Sequence, residues 1–302
     1  MTERVRGYAA WTPRSKTLVL LDQVEAVLDE YAAHLPLTVR QIFYRLVGNH
    51  GYAKTELAYD NLGEMLNRAR RAGRVDFDAI RDDGVTAQIP LAFTSREAFI
   101  ATAKRLAANY KMDRQHGQTQ YVELWVEAAG MVPMLAAVVG DYGIPTYSSG
   151  GFDSLTAKHD AAERITGRGV PTLILHVGDH DPSGLAMFQA VAEDVEAMAD
   201  EDLGEVTFDR VAVTPEQIRR YNLPAAPAKA HDKRSAWVGG GTVQAEALPP
   251  DVLTAEVRQA VTSLIDFDAL REVQQQESAE GERVTADIDR LLSMDEDETD
   301  DD

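Results

Sequence analysis

The sequence predicts an α/β protein built from a small helical domain followed by a mostly parallel sheet layered with helices. Three observations carry this. The first quarter of the chain repeats apolar side chains at helical spacing. From Tyr121 onward, short apolar runs alternate with helical stretches, the pattern of strand–helix–strand units. Acids then close two of those runs, Glu127 the first and Asp179 and Asp181 the third, where open parallel sheets bind their ligands.

The elements follow in order. Leu18, Leu21, Val24, Val27, Leu28 and Tyr31 recur at helical spacing and predict a helix over residues 18–33. Thr38 is a good N-cap for a second helix running through Val47. A third spans roughly residues 55–72, is closed by Gly73, and carries Arg68, Arg70, Arg71 and Arg74 at its end, where cations suit the helix dipole and can also face phosphates. Val75-Asp76-Phe77 and Gln88-Ile89-Pro90 around the turn Asp82-Asp83-Gly84 read as a short β-hairpin. Three helices and a hairpin make residues 1–93 a winged-helix, DNA-binding type of domain. A connecting helix near residues 95–109 and a polar linker occupy 94–119.

Strands are expected at residues 121–126, 144–147, 171–177 and 206–213, and helices at 132–139, 154–165, 183–198 and 215–221. Residues 224–241, rich in Ala, Pro and Gly, read as an extended excursion. Helices at 251–265 and 268–292 complete a second domain over 120–292. Residues 293–302 read as an acidic, disordered tail, seven of the last eight residues being Asp or Glu.

Composition narrows the chemistry. With 302 residues and 44% hydrophobic content the chain can bury real cores. It has no cysteine, which removes disulfides, thiolate nucleophiles and sulfur-ligated zinc. No run approaches the roughly 18–20 apolar residues of a membrane span, and no apolar signal core follows the first charged residues, so a cytoplasmic protein without a membrane partner is expected. A net charge of −20 argues against nucleic acid when taken whole. Residues 36–75 reverse the sign: Arg40, Arg45, Lys54, Arg68, Arg70, Arg71 and Arg74 stand against three acids.

Two constellations carry chemistry. Glu127, Asp179 and Asp181 offer hard oxygen ligands suited to magnesium, and Pro182-Ser183-Gly184 turns directly into a helix whose N-terminus favours anions. The plainer alternative is that these acids cap the following helices. His176 and His180 raise zinc or manganese as ligands, but His176 alternates with apolar strand residues and reads as packed in the sheet. The pair Gly167-x-Gly169 and the run Gly239-Gly240-Gly241 lack a following Lys-Ser/Thr and define no ATP site. On the second helix, Arg40 and Tyr44 lie four residues apart on one face. A tyrosine there can attack phosphorus while an arginine holds the phosphoryl oxygens; the alternative is a core aromatic beside Phe43 and Leu46.

Thr38-Val-Arg-Gln-Ile-Phe-Tyr44 resembles the catalytic helix of the topoisomerase VI A subunit and of the related transesterase that makes meiotic double-strand breaks. Glu127 with Asp179-His-Asp-Pro-Ser-Gly184 resembles Toprim, a Rossmann-like domain with a mostly parallel sheet. Gly151-Phe152-Asp153 and Val243-Gln-Ala-Glu-Ala-Leu-Pro249 are softer matches, and Glu246 stands where the family has Asp. The likeness runs from about residue 20 to 265, in the family's domain order, and the chain, compact for this family, looks like the small stand-alone A-type proteins of bacteria and their phages.

The resemblance implies Tyr44 as nucleophile and Arg40 as its assistant. It further implies Glu127, Asp179 and Asp181 as ligands of one or two magnesium ions, and duplex DNA held by Arg45, Lys54, Arg68, Arg70, Arg71 and Arg74. A homodimer is implied in which Tyr44 of one protomer meets the metal site of the other, with a separate ATPase subunit as a possible further partner and a nucleoid-associated location. The expected activity is magnesium-dependent DNA cleavage or relaxation through a 5′-phosphotyrosyl link. The competing readings are a Toprim nuclease that uses water and a non-catalytic DNA-binding or DNA-bridging protein.

Overall fold

A computed structural model describes residues 8–81, 90–151, 155–199, 205–225 and 242–297. The chain is mixed α/β with parallel sheets. It forms two compact units, one of residues 1–83, 120–141 and 145–263, the other of residues 84–119, 142–144 and 264–302.

Local sequence sets the helical start of the first unit. Helix α1 (Ser15–Glu30) buries Leu21, Val24 and Val27, the stripe its periodicity requires. Strand β1 (Leu37–Thr38) leads into α2 (Val39–His50), whose N-terminus is a full capping box. There the Gln41 amide donates to Thr38 Oγ1 at 3.0 Å, and the Thr38 amide donates to Gln41 Oε1 at 2.8 Å. Gly51 ends α2 at φ 65°, a left-handed conformation that only glycine adopts without penalty. Helix α3 (Glu56–Arg71) is capped by Thr55 and followed by Gly73 at φ 67°.

The first arm of the expected hairpin does not form. Residues 77–79 make a short 3₁₀ turn, and strand β2 (Ile80–Arg81) pairs in parallel with β1, Leu37 opposite Ile80 and Thr38 opposite Arg81. Asp76 caps the 3₁₀ turn by accepting from the Asp78 amide, which takes this stretch out of the extended conformation a hairpin arm needs. The other arm, residues 88–90, lies mostly outside the described residues.

Helix α4 (Arg96–Ala108), capped by Ser95, belongs to the second unit. In the first unit, strand β3 (Tyr121–Val126), helix α5 (Val132–Val139), strand β4 (Thr146–Ser148), helix α6 (Leu155–Thr166), strand β5 (Thr172–Val177), helix α7 (Pro182–Met198), strand β6 (Val206–Ala212) and helix α8 (Pro215–Arg220) alternate as expected. The strands form one parallel sheet in the order β4-β3-β5-β6. Both alternating sets of β3 are buried, Val122, Leu124 and Val126 on one side and Glu123 and Trp125 on the other, as in a sheet covered on both faces. Trp125 and Ile174 pack with Ala161, Ala162 and Ile165 of α6 and Val191 and Val195 of α7. Helix α9 (Pro250–Thr262) packs on α5 and on β6.

The second unit is held by α4 and α10 (Phe267–Asp297), so the expected connecting helix is the partner of the C-terminal helix. They run antiparallel: Lys104 pairs with Asp289 at 2.9 Å, Tyr110 donates to Glu280 at 2.7 Å and Lys111 pairs with Glu277 at 2.9 Å. Nothing in residues 282–297 breaks a helix, and α10 continues into the acidic stretch expected to be disordered, while residues 298–302 lie outside the described residues.

Glu277 is the hub. Hydrogen bonds from Arg114, with further ones from Lys111 and the Met112 amide, hold its carboxyl down to about 2, below the usual 4.5. A depressed carboxylate stabilises the fold above its unfolded value and loses that contribution as pH falls toward the folded one. Unfolding followed at pH 7 and again between pH 4.5 and 2 is therefore expected to show acid loss of stability that Glu277→Gln reduces in part, the remainder belonging to other depressed carboxylates such as Glu123. The variant itself is less stable at pH 7 by roughly 2–4 kcal/mol.

Candidate active site

The acids sit where the sheet's topology puts them. Glu127 follows β3, its amide donating to the Val177 carbonyl at 2.8 Å, so it stands beside the end of β5. Its Oε2 accepts the Asp179 amide at 2.8 Å. Asp179 Oδ1 accepts the Ala245 amide at 2.8 Å, and Asp181 Oδ1 caps α7 by accepting the Gly184 amide at 2.6 Å. The helix-capping alternative thus holds for one oxygen of Asp181.

Gly178 makes the approach of Glu127 possible. A Cβ there would collide with the His176 ring and stand 2.6 Å from Glu127 Oε2. Gly178→Ala is expected to cost roughly 1–3 kcal/mol in thermal or denaturant unfolding, the range for overpacking a filled site.

Arg210, which the sequence motifs did not single out, anchors this loop. From β6 it donates to the carbonyls of Gly178, at 2.7 Å, and of Asp179, and to Val213 at 3.1 Å. Burial lowers its pKa against the raising effect of Glu127, Asp179 and Asp181, so one buried cation faces three acids. An arginine within the strand run Val206–Ala212 was the available signal. His176 is buried, stacks on Phe188 with centroids 3.8 Å apart, and is pushed down to about 3 by burial and by Arg210, which makes it a neutral packing residue.

Burial raises the carboxyl pKa of both Glu127 and Asp179, and neighbouring acids add to it: Asp179 and Asp181 act on Glu127, Asp181 on Asp179. Carboxylates crowded in this way favour a bound cation. The ligand atoms of the three acids do not all fall within 4.8 Å of one another; among the described residues that spacing is met only by His159, Asp160 and Glu163, exposed on α6. An open set of hard oxygens fits magnesium, which is held by one or two carboxylates and keeps several waters.

The segment 242–249 brings α2 to the acids. Its Val243 exchanges backbone hydrogen bonds with His180 at 2.7 and 3.1 Å, and Ala245–Ala247 forms a 3₁₀ turn. Tyr44 Oη donates to Gln244 Oε1 at 2.7 Å. Glu246 accepts from Thr38 Oγ1 at 2.6 Å and faces Arg40 Nε at 3.6 Å. In the sequence, Gln244 and Glu246 are visible only as part of the soft family match.

Tyr44 is 5% exposed, with Phe43 edge-on at 5.6 Å and the Lys54 ammonium 5.5 Å from its ring centre. Burial pushes its hydroxyl up to about 12; Arg40 opposes this, while Asp179 and Glu246 add to it. A cleft of about 270 Å³ is lined by Thr38, Arg40, Tyr59, Arg81, Gly130 and Glu246; Tyr44 is not part of its lining.

The basic residues divide. Arg45 turns inward: it is buried and donates to the Ala247 carbonyl, which withdraws it from the expected phosphate-facing set. Lys54 is half-buried and donates to Pro224 at 2.6 Å. Along the end of α3, Arg68 pairs with Glu64 at 2.7 Å, Arg71 donates to Asn67 at 2.7 Å, Arg70 lies over Phe77 at 4.7 Å, and Arg74 is exposed. Arg70 and Arg71 line a cleft of about 650 Å³ with Tyr8, Tyr59, Asn67 and Phe77.

Among the described residues no helix is long and apolar enough to cross a membrane. No family model and no curated protein matches this chain, so the meaning of the cluster of Tyr44, Arg40, Glu127, Asp179, Asp181 and Glu246 rests on its own chemistry.

Proposed function

We propose that this protein is a magnesium-dependent, topoisomerase VI A-like enzyme that cleaves the DNA backbone with Tyr44, its N-terminal part acting as a winged helix and its sheet as a Toprim domain. The observation that carries the reading is the two-step link from phenol to acid: Tyr44 bonds Gln244, and the next residue's amide holds Asp179.

In the reaction, Tyr44 Oη forms a bond to phosphorus as the bond to the 3′ oxygen breaks. The proton lost by the phenol balances the one gained by the departing 3′ hydroxyl, leaving a 5′-phosphotyrosyl link that the same hydroxyl can reverse. Arg40, half-exposed beside the cleft, would hold the phosphoryl oxygens. Gln244 orients the phenol but cannot take its proton, so a phenol pushed up to about 12 attacks as its proton departs. Magnesium held by Glu127, Asp179 and Asp181 would supply Lewis-acid charge at the phosphate. Arg68, Arg70, Arg71 and Arg74 would grip the duplex in a salt-dependent, largely sequence-tolerant way. A homodimer and an ATPase partner belong to the same proposal.

The test is incubation with supercoiled plasmid and magnesium, a detergent quench, and a gel run with and without protease. Breaks carrying protein, lost on chelation and in Asp179→Ala, are the expected result. The burial of Tyr44 favours one other reading, a water-using nuclease in which the tyrosine only packs; protein-free, metal-dependent nicks would be its signature.

A further inference from the structure

The cleft of about 650 Å³ along α3 is walled by aromatic rings as well as arginines. Its size falls within the roughly 300–1,000 Å³ of sites that enclose a small guest. Resting on the reading of this chain as a DNA-cleaving protein, we infer that the cleft takes one unpaired nucleobase from the strand whose phosphate lies at Arg40. DNA with a mismatched, bulged or otherwise unstacked base is then the preferred substrate class.

Three rings frame the cleft. Tyr8 stands ahead of α1, where the Ala9 amide donates to the Arg71 carbonyl at 3.0 Å and ties the chain to the end of α3. Its ring is 83% exposed and meets Phe77 edge-on, centroids 5.9 Å apart and planes at 82°. Phe77 is 45% exposed yet held in place: Arg70 lies over its ring at 4.7 Å and donates to its carbonyl and to that of Ile80, both at 3.3 Å. The third ring, Tyr59, is half-buried and edge-on to Phe43 at 5.4 Å. A paired base shows a protein only its edges, because its faces lie in the stack. Only a base drawn out of the stack can use the open face of Tyr8.

The polar lining suits the same guest. Asn67 Oδ1 is taken by Arg71 Nε at 2.7 Å, so the Asn67 amide adds donors to the wall while the Asp60 carboxylate adds an acceptor, the two kinds of group that base edges pair with. Glu64, also in the wall, is answered by Arg68 at 2.7 Å. Arg70 and Arg71, with exposed Arg74 just past the helix, outnumber Asp60 and favour the phosphates on either side of the base. The cleft also adjoins the site of cutting. Val39 and Tyr59 line both this cleft and the smaller one that holds Arg40, and the Arg40 guanidinium lies 5.4 Å from the Tyr59 ring centre. A strand with a phosphate at Arg40 therefore has a neighbouring base beside Tyr59, with Phe77 and Tyr8 along the same wall.

The test uses the full chain and two labelled duplexes of one sequence, one fully paired and one carrying a single bulged thymine. Binding is followed by fluorescence anisotropy with a chelator present, so that no cutting intervenes. The bulged duplex is expected to bind about 10-fold tighter, within the range for one base stacked on aromatic side chains. That preference is expected to fall below about 2-fold in Tyr8→Ala and in Phe77→Ala, and to persist in Tyr8→Trp, which keeps a ring. Equal binding of the two duplexes by the wild type, binding of neither, or a preference untouched in both alanine variants overturns the proposal.

A second arm locates the base. The bulged thymine is replaced by 5-iodouracil, the complex is irradiated, and the linked peptide is identified by mass spectrometry. Linkage to Tyr8, Tyr59 or Phe77 is expected, and linkage only to residues outside the cleft overturns the proposal. Adduct formation in magnesium separates this inference from the reading it rests on. A protein that prefers the bulge and links through the cleft yet forms no adduct sinks the cleavage reading and leaves the base site standing, whereas adduct formation with no preference for the bulge does the reverse.

Discussion

Tyr44→Phe is expected to abolish the covalent DNA adduct, a loss on the order of 10³-fold or more, since no other group in the site can take over the phenol's bond to phosphorus. Stability should change little. The variant keeps the ring that packs against Phe43 and under Lys54, and gives up one hydrogen bond to Gln244, about 1 kcal/mol. This contrast between activity and stability is what separates a nucleophile from a core aromatic. Metal-dependent, protein-free cleavage by the variant at an undiminished rate would return Tyr44 to the core and leave the acids to a water-using nuclease. The raised phenol also sets a direction with pH. If ionisation accompanies attack, adduct formation should climb from pH 7 toward pH 9, because the neutral phenol, pushed up to about 12, predominates throughout that range.

Glu123→Ala carries the largest expected effect on stability. Glu123 is fully buried on β3 and accepts from Trp125 at 2.7 Å, from Arg164 at 2.9 Å and from Arg168 at 2.6 Å. Burial alone would raise its pKa; Arg164 and Arg168 outweigh burial and lower it. Removing the carboxylate leaves an indole N–H and two guanidinium groups without their shared acceptor against the face of the sheet. A loss of about 3–5 kcal/mol is expected, the range for breaking a buried ion pair on one side, and urea unfolding would read it as a lower midpoint. Arg164 and Arg168 also lie over the rings of Tyr147 and Tyr121, at 4.3 and 3.8 Å, contacts that survive the substitution and moderate the cost. A change under about 1 kcal/mol would show that the arginines are held by those rings and by solvent.

Glu123 and Glu127 illustrate two fates of acids on one strand. The first is answered by two arginines and lies on the core side of the sheet; the second lies at its end among other acids, with Arg210 as a single buried counter-charge. Charge answered in full holds a fold together, whereas charge left in excess is available for a cation or a phosphate.

What the sequence determined by itself was everything decided within a few residues. Thr38, Thr55 and Ser95 cap helices because each side chain accepts an amide three positions on. Tyr121–Val126 is a strand because its apolar run suits a sheet covered on both faces, and the parallel order places Glu127 and Asp179 at strand ends whatever else the chain does. Only the tertiary structure decided partners remote in sequence. Strand β2 pairs with β1 instead of turning into a hairpin, because Leu37 lies opposite Ile80. Arg45, one residue from Tyr44 in a basic stretch, turns inward to a carbonyl 202 positions away. Tyr44 meets Gln244 across 200 positions and Asp179 meets Ala245 across 66. Capping and periodicity are local hydrogen-bond and burial effects written into neighbouring residues, whereas the meeting of phenol, arginine and acids depends on which buried surfaces close on one another, and that is a property of the whole packed chain.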